Sequence, residues 1–233
     1  MPTIDTTSFI SPNHNSRGTA VVNLLVLHAT VGDALSSLQH LCNPAPINPR
    51  TRMPDPDLAV SIHYLIDKRG RIYQLVNESQ AAWHAGASRW RDMNSVAIRN
   101  GSIGIELENK NDGKDPYPAV QLGMLTWLTN DILTRYPLPL DHIVSHAEIA
   151  IPAGRKTDPK GFPWDSFRAS LAHTPPPPRP YRVIGLPVYQ RADHTGALWG
   201  HLKSGEQVAI DDLSNGHLAD GRGFVDLAGL EPL

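Results

Sequence analysis

His28 and His146 each close a segment that reads as a β-strand, and Asp158 follows in the loop Gly154-Arg155-Lys156-Thr157-Asp158-Pro159. The ends of strands in open α/β sheets are where sites assemble. Two imidazoles and a carboxylate make a set able to hold a catalytic divalent metal, because they leave a fourth position for water, whose pKa falls to about 7. The two histidines lie 118 positions apart, so nothing local links them. On spacing alone, two buried histidines and a loop-capping aspartate remain an open alternative. No HExxH or CxxC segment offers a denser local site. His142, four residues before His146 and on the same strand face, is a further candidate ligand. His14, His40, His173, His194, His201 and His217 fall in loops, on helix surfaces or in the last part of the chain, where a solvated imidazole needs no explanation. Cys42 sits in an apolar helix stripe without an adjacent base, which argues against a thiol nucleophile.

The elements that must position these groups follow from pattern. Val21–His28 is a continuous apolar run, as in a strand covered on both faces. Asp33 can cap a helix through about Leu41, with Leu35, Leu38 and Leu41/Cys42 on one face. Val60–Asp67 and Arg71–Val76 flank Lys68-Arg69-Gly70 and read as a hairpin. Residues 78–101 read as mostly irregular. Over Ser102–Glu108, Ile103, Ile105 and Leu107 face one way and Gly104, Glu106 and Glu108 the other. Pro118 to Tyr136 reads as a long helix stopped by Pro137, His142–His146 as a short strand, and Trp164–Leu171 as a closing helix. Strands mixed with helices imply an α/β domain with a central sheet and flanking helices.

The run Pro175-Pro176-Pro177-Pro178-Arg179-Pro180 reads as a semi-rigid spacer dividing residues 1–174 from residues 181–233. The last part has short strand candidates at Val183-Ile184, Leu186–Tyr189, Gln207–Ile210 and Gly223–Leu227, punctuated by glycines, the pattern of a small all-β barrel. Across all 233 residues the hydrophobic content of 40% suffices for a sizeable core, and a net charge of −2 without local Lys/Arg clusters excludes phosphate-driven nucleic-acid binding. One cysteine excludes an intrachain disulfide. The opening MPTIDTTSFI has neither a basic n-region nor an apolar core, so no signal peptide is expected, and the run around Ala20–Val31 is too short for a membrane span.

Six segments in order carry a resemblance. Val26-Leu27-His28-Ala29-Thr30 resembles the opening zinc-ligand strand of the type-2 N-acetylmuramoyl-L-alanine amidases, and Ser11–Arg17 resembles the stretch before it. Ser61-Ile62-His63-Tyr64-Leu65-Ile66 resembles the family's second strand, and Ala82-Trp83-His84-Ala85-Gly86 and Ser102-Ile103-Gly104-Ile105-Glu106-Leu107 two of its most characteristic segments. His146 with Arg155-Lys156-Thr157-Asp158-Pro159 completes the series, which covers roughly residues 10–170.

The resemblance implies the type-2 amidase fold and a zinc ion on His28, His146 and Asp158. It further implies Glu106 as the carboxylate that activates water and Lys156 as the cation at the tetrahedral oxyanion. Those roles suit amide hydrolysis, which needs a nucleophile, a base and a charge at the developing oxyanion. Trp83 and His84 either line the substrate cleft or anchor a long loop. The step from His146 to Asp158 carries about two residues more than the family's usual spacing, which bears on where Lys156 stands. The implied reaction is cleavage of the lactyl–L-Ala amide of peptidoglycan, with peptidoglycan or its muropeptides as partner, by a monomer acting on the cell wall after release or export. A phage lysin, an exported effector and an envelope enzyme without its leader all fit. The rivals are a muropeptide-binding protein of the same fold without catalysis, for which a missing ligand or base would be the signature, and a zinc peptidase cutting within the stem peptide. Leu186-Pro187-Val188-Tyr189, Gly200–Val208 and Gly223-Phe224-Val225-Asp226 are similar to bacterial SH3-like barrels, implying a wall-anchoring module or a spacer domain.

Overall fold

In the computed structural model the strand with the cleanest alternation lies inside a six-stranded sheet. The structure describes residues 2–171 and, beyond them, six strand segments. The chain divides into two compact units, Met1–His173 and Thr174–Leu233.

The first unit runs β1 (Ile4–Asp5), β2 (His14–Ser16), β3 (Leu24–Ala29), α1 (Ala34–Leu41), β4 (Tyr64–Ile66), β5 (Ile72–Gln74) and β6 (Gln80–Ala82). It continues through β7 (Arg89–Trp90), β8 (Met93–Asn94), α2 (Ser95–Gly101), β9 (Ser102–Leu107), α3 (Ala119–Arg135), β10 (Ile143–Ser145), α4 (His146–Ile149) and α5 (Trp164–Ser170). The main sheet has the order β1-β5-β4-β9-β3-β10. Strands β4, β9, β3 and β10 are parallel to one another, while β5 is antiparallel to β4. The result is a mixed sheet with flanking helices.

Burial explains both faces. Leu25 and Leu27 of β3, and Ile103, Ile105 and Leu107 of β9, pack with Leu125, Leu128 and Ile132 of α3 and Phe167 of α5. On the opposite face Leu24 and Val26 pack with Ile98 of α2 and with Val144 and Ile149, and Leu65 packs with Leu38 and Leu41 of α1. Both faces are covered, so β3 is buried at every position. His28 and Glu106 are direct neighbours in the β3–β9 register, and adjacent parallel strands put paired residues on one face.

Several local expectations hold at their boundaries. Asp33 caps α1 by accepting from the Ser36 N–H at 2.9 Å. Lys68-Arg69-Gly70 turns β4 into antiparallel β5. Other expectations are corrected. Leu35 is 57% exposed, because Ala34, Leu38, Leu41 and Cys42 form the inward stripe of α1 and leave Leu35 at its margin. Residues 78–101 are not mostly irregular: they form β6, the β7–β8 hairpin and α2, which Asn94 caps through the Val96 and Ala97 N–H groups. The segment His142–His146 is a strand only over Ile143–Ser145, since Ser145 caps a new helix that begins at His146.

The second unit has strands β11 (Arg179–Val183), β12 (Pro187–Tyr189), β13 (Leu198–His201), β14 (Gln207–Asp212), β15 (His217–Leu218) and β16 (Leu230–Pro232). They form an antiparallel sheet in the order β15-β14-β11-β16 and a separate β12–β13 pair. Arg179 and Pro180, at the end of the proline run, already pair with Ile210 and Ala209. The expected strand Gly223–Leu227 lies outside the described residues.

Candidate metal centre

Three elements deliver the centre. His28 comes from the end of β3, His146 from the first turn of α4 directly after β10, and Asp158 from the loop that follows. All three are buried, and among the described residues they are the group of histidines and acids whose donor atoms lie close enough to hold one ion. His28 Nδ1 is 3.0 Å from His146 Nδ1 and 3.4 Å from Asp158 Oδ2, and His146 Nδ1 is 3.0 Å from Asp158 Oδ2. Tetrahedral ligands at the ~2.0–2.1 Å of zinc bonds to nitrogen and oxygen stand roughly 3.3 Å apart, so this triangle has the dimensions of three corners of a zinc site. The chemistry of the donors agrees. His146 Nε2–H donates to the Ala85 carbonyl at 3.2 Å, which leaves Nδ1 bare in the neutral ring. Burial works to raise the Asp158 pKa, but the hydrogen bonds and positive charge it takes from the His146 and His28 rings, when a proton stands between them in place of a metal, hold it well below the usual carboxylate range. The carboxylate is therefore ionised, as a ligand must be. Lone pairs and a negative charge converge on one point, an arrangement that suits a bound cation.

The centre opens into a cleft of about 400 Å³. Glu106 and Lys156 line it, as do Val31, His40 and Val60. Glu106 Oε2 stands 3.9 Å from His28 Nδ1, close to the donor triangle yet outside the group of ligand atoms. Burial, and then the neighbouring Asp158 carboxylate, push the Glu106 carboxyl up to about 8, while the Lys156 ammonium pulls it back down. Lys156 is exposed, and its charge also reaches His28. The longer step from His146 to Asp158 is taken up in a tied loop: Arg155 N–H donates to the Pro152 carbonyl, and its side chain donates to the Ile151 carbonyl at 2.9 Å and the Ala87 carbonyl at 2.6 Å. Ala147 N–H donates to the Asp158 carbonyl, closing the loop at its base.

The other candidates separate. His84 lies behind His28, with Nδ1 3.0 Å from His28 Nε2, and also contributes to the cleft wall. Trp83 does not line the cleft, and its indole N–H donates to Asn15 Oδ1 at 2.6 Å. His142 is not part of the metal group; its Nδ1 donates to the Asn23 carbonyl at 2.7 Å and its ring packs on Trp90. Glu108 accepts from the Lys68 N–H instead of entering the cleft. Two residues that shape the site escape a reading of the sequence. Ser102 holds His84, and Gly104 leaves the space its ring occupies. The signal is present, since Ser102, Gly104 and Glu106 share the face opposite Ile103 and Ile105.

The buried histidines set an acid sensitivity. Burial, and then the His146 ring, push His28 down to about 4; burial and then the Arg17 guanidinium push His63 down to about 3; burial and then His28 push His84 well below its ordinary value. The unfolded chain takes up these protons near pH 6.5 and the folded chain does not. This contribution to stability is therefore full above about pH 6.5 and is lost as pH falls through about 4. Glu106, raised in the folded chain, works the other way: its contribution is full below the ordinary carboxyl range and lost as pH rises through about 8. Three histidines outweigh one carboxyl. Metal-free protein is expected to lose several kcal/mol between pH 7 and pH 4.5, read by urea unfolding after chelation; a flat or rising profile would contradict this burial.

A mixed α/β sheet whose parallel strands β3 and β10 lead into two histidines, with an aspartate folded back from the following loop, defines a protein whose cleft carries a three-donor group able to hold a metal ion. Residues 18–161 match the family model described as N-acetylmuramoyl-L-alanine amidase, and the chain belongs to that family. It is 37% identical over 161 residues to N-acetylmuramoyl-L-alanine amidase AmiD of Escherichia coli K12, covering 63% of this chain and 52% of that protein. The chain thus spans about half the length of that curated relative. Among solved structures it is similar to a selenomethionine AmpD derivative, at 31% identity and a TM-score of 0.57, over 70% of this chain and 92% of that one. It is also similar to the E. coli amidase AmiD in complex with the substrate anhydro-N-acetylmuramic acid-L-Ala-D-γ-Glu-L-Lys, at 34% identity and a TM-score of 0.54, over 66% of this chain and 59% of that one. Among the described residues, no helix is long and apolar enough to cross a membrane.

Proposed function

We propose that this chain is a zinc-dependent N-acetylmuramoyl-L-alanine amidase that hydrolyses the amide between the lactyl group of N-acetylmuramic acid and L-Ala of the stem peptide. The observation that carries the reading is the convergence of His28, His146 and Asp158 on one point, with Glu106 Oε2 3.9 Å from His28 Nδ1 in the same cleft. His28, His146 and Asp158 would hold zinc, which when bound polarises the scissile carbonyl and acidifies water. Glu106 takes the proton of the attacking water at its carboxylate and returns it to the leaving amine nitrogen. Lys156 holds a positive charge at the cleft, where the oxyanion develops. A non-catalytic binder of the same fold would be marked by a missing ligand or base, and none of these positions is vacant. The similar AmiD was solved with an anhydro-muropeptide, which supports peptidoglycan or its soluble fragments as the substrate class. In this reading the protein meets its substrate at the cell wall as a monomer. We read the strand segments beyond the proline spacer as belonging to an SH3-like module, and wall binding there would raise local substrate concentration through the linker.

The test is digestion of purified sacculi and of soluble muropeptides, before and after chelation, with mass spectrometry of the products. Stem peptides that begin with L-Ala, lost on chelation and restored by zinc, are expected. Fragments cut within the stem would make the protein a peptidase. No cleavage of either substrate by the zinc-loaded protein would make it a binder.

A further inference from the structure

Behind His28 a line of polar contacts runs away from the cleft and ends on the backbone. His28 Nε2 lies 3.0 Å from His84 Nδ1, His84 Nε2 lies 3.0 Å from Ser102 Oγ, and Ser102 Oγ lies 2.5 Å from the Ile98 carbonyl oxygen. All three side chains are buried, with Ser102 at 0% exposure. The last contact orders the rest. A carbonyl oxygen only accepts, so the single hydroxyl proton of Ser102 goes to Ile98. The hydroxyl oxygen then accepts from His84, which must carry its proton on Nε2. A neutral ring protonated there has a bare Nδ1, so His28 donates to it from Nε2. The proton of His28 is thereby committed to the side away from the cleft. Its bare Nδ1 faces His146 Nδ1 and Asp158 Oδ2 at 3.0 and 3.4 Å.

We infer that Ser102, acting through His84, is a positioning residue that sets the tautomer and ring orientation of His28 and so keeps Nδ1 free for a cation; the inference rests on the metal-site reading above. Metal-ligating histidines need their second nitrogen anchored in this way. Here the anchor is built from three features of the fold. The period of β9 puts Ser102, Gly104 and Glu106 on one face, so one strand supplies both the anchor and the proposed base. Gly104 leaves the volume in which the His84 ring lies: a Cβ there would stand 2.7 Å from His84 Cγ. Helix α2 supplies the terminal acceptor from Ile98, and Arg17 clamps the junction of α2 and β9 by donating to the carbonyls of Asn100 and Ser102 at 2.5 and 2.8 Å. The adjacent His63 has its own partners, since its Nδ1 accepts from the Gly104 N–H and its Nε2–H donates to the Gln80 carbonyl. A helix that gives no residue to the cleft thus decides which nitrogen of His28 the cleft receives.

Long-range proton–nitrogen NMR of the metal-free wild type near neutral pH is expected to show both His28 and His84 protonated on Nε2. Either ring protonated on Nδ1 overturns the inference without any variant. With zinc itself as the probe, in competition with a chromophoric chelator, Ser102→Ala is expected to bind 10–100-fold more weakly. Ser102→Thr, which returns a hydroxyl, should recover most of that loss. A Ser102→Ala protein with wild-type zinc affinity overturns the inference. So does one whose affinity falls while both rings keep their Nε2 protons, the mark of a purely structural loss. A wild type that binds no zinc overturns the metal-site reading instead, and the metal-free spectrum still decides the proton order.

Discussion

Glu106→Gln is expected to lower the rate of the proposed lactyl–L-Ala amide hydrolysis by about 10³-fold, within the range for loss of a general base, the role proposed for Glu106. Glutamine keeps the size and a hydrogen-bonding oxygen of the carboxylate but cannot take the proton of the attacking water. Zinc affinity should change far less, because Glu106 is not one of the three convergent donors and contributes only charge, its Oε2 lying 3.9 Å from His28 Nδ1. The pH profile separates these roles. Burial and the Asp158 carboxylate push the Glu106 carboxyl up to about 8 in the metal-free chain. A bound dication pulls it back down, since a nearby positive charge favours the ionised form. With Glu106 as the proposed base, the acidic limb of the wild-type kcat is expected to report this carboxyl and to move with the bound metal, and the Gln variant is expected to lack that limb. Zinc titration alongside single-turnover hydrolysis of a soluble muropeptide measures both effects. A Gln variant that binds zinc and keeps more than about a tenth of the wild-type rate would remove Glu106 from proton transfer.

Gly104→Ala will destabilise the metal-free protein by about 3 kcal/mol, the upper end for forcing atoms into a packed interior. The new Cβ would stand 2.6 Å from Ile62 Cδ1 and 2.7 and 2.8 Å from His84 Cγ and Nδ1. Neither neighbour can retreat freely. Ile62 is 1% exposed, and the His84 ring is held at both nitrogens by His28 and Ser102. The methyl must therefore displace the ring inferred to orient His28, and zinc affinity is expected to fall together with stability. Gly123 is the internal comparison. It lies exposed on α3, and a Cβ added there would meet nothing within 4 Å. Gly123→Ala is expected to stabilise by about 0.5–1 kcal/mol through helix propensity. Urea unfolding of the two chelated variants reads the difference. A Gly104→Ala protein as stable as the wild type would show that the His84 seat is loose.

Much of the fold is legible in the sequence because its causes lie within a few residues. The alternation of Ile103, Ile105 and Leu107 marks a strand, Asp33 supplies the acceptor that starts α1, and Pro118 and Pro137 bracket α3. Helix α2 is hard to see because Ile98 and Gly101 are its only buried residues, too few for a periodic stripe, although Asn94-Ser95 carries a capping signal. Leu35 misleads because its spacing is compatible with the apolar stripe, and the choice between it and Ala34 depends on how α1 lies on the sheet.

The site divides in the same way. By itself the sequence determined the residue types, the strands and loops that carry them and, through the ordered motifs, the family. It could not say that His28 and Glu106 would be lateral neighbours, that His146 would follow directly on a strand paired with β3, or that Asp158 would fold back onto both histidines. Parallel pairing joins segments far apart in the chain, and its register is decided by burying both faces of the sheet at once. The role of His84 belongs wholly to the tertiary structure. An imidazole in a loop can line a cleft or hold a ligand, and what decides is the seat left by Gly104 and the hydroxyl of Ser102 beneath it, whose one proton is already committed to the backbone.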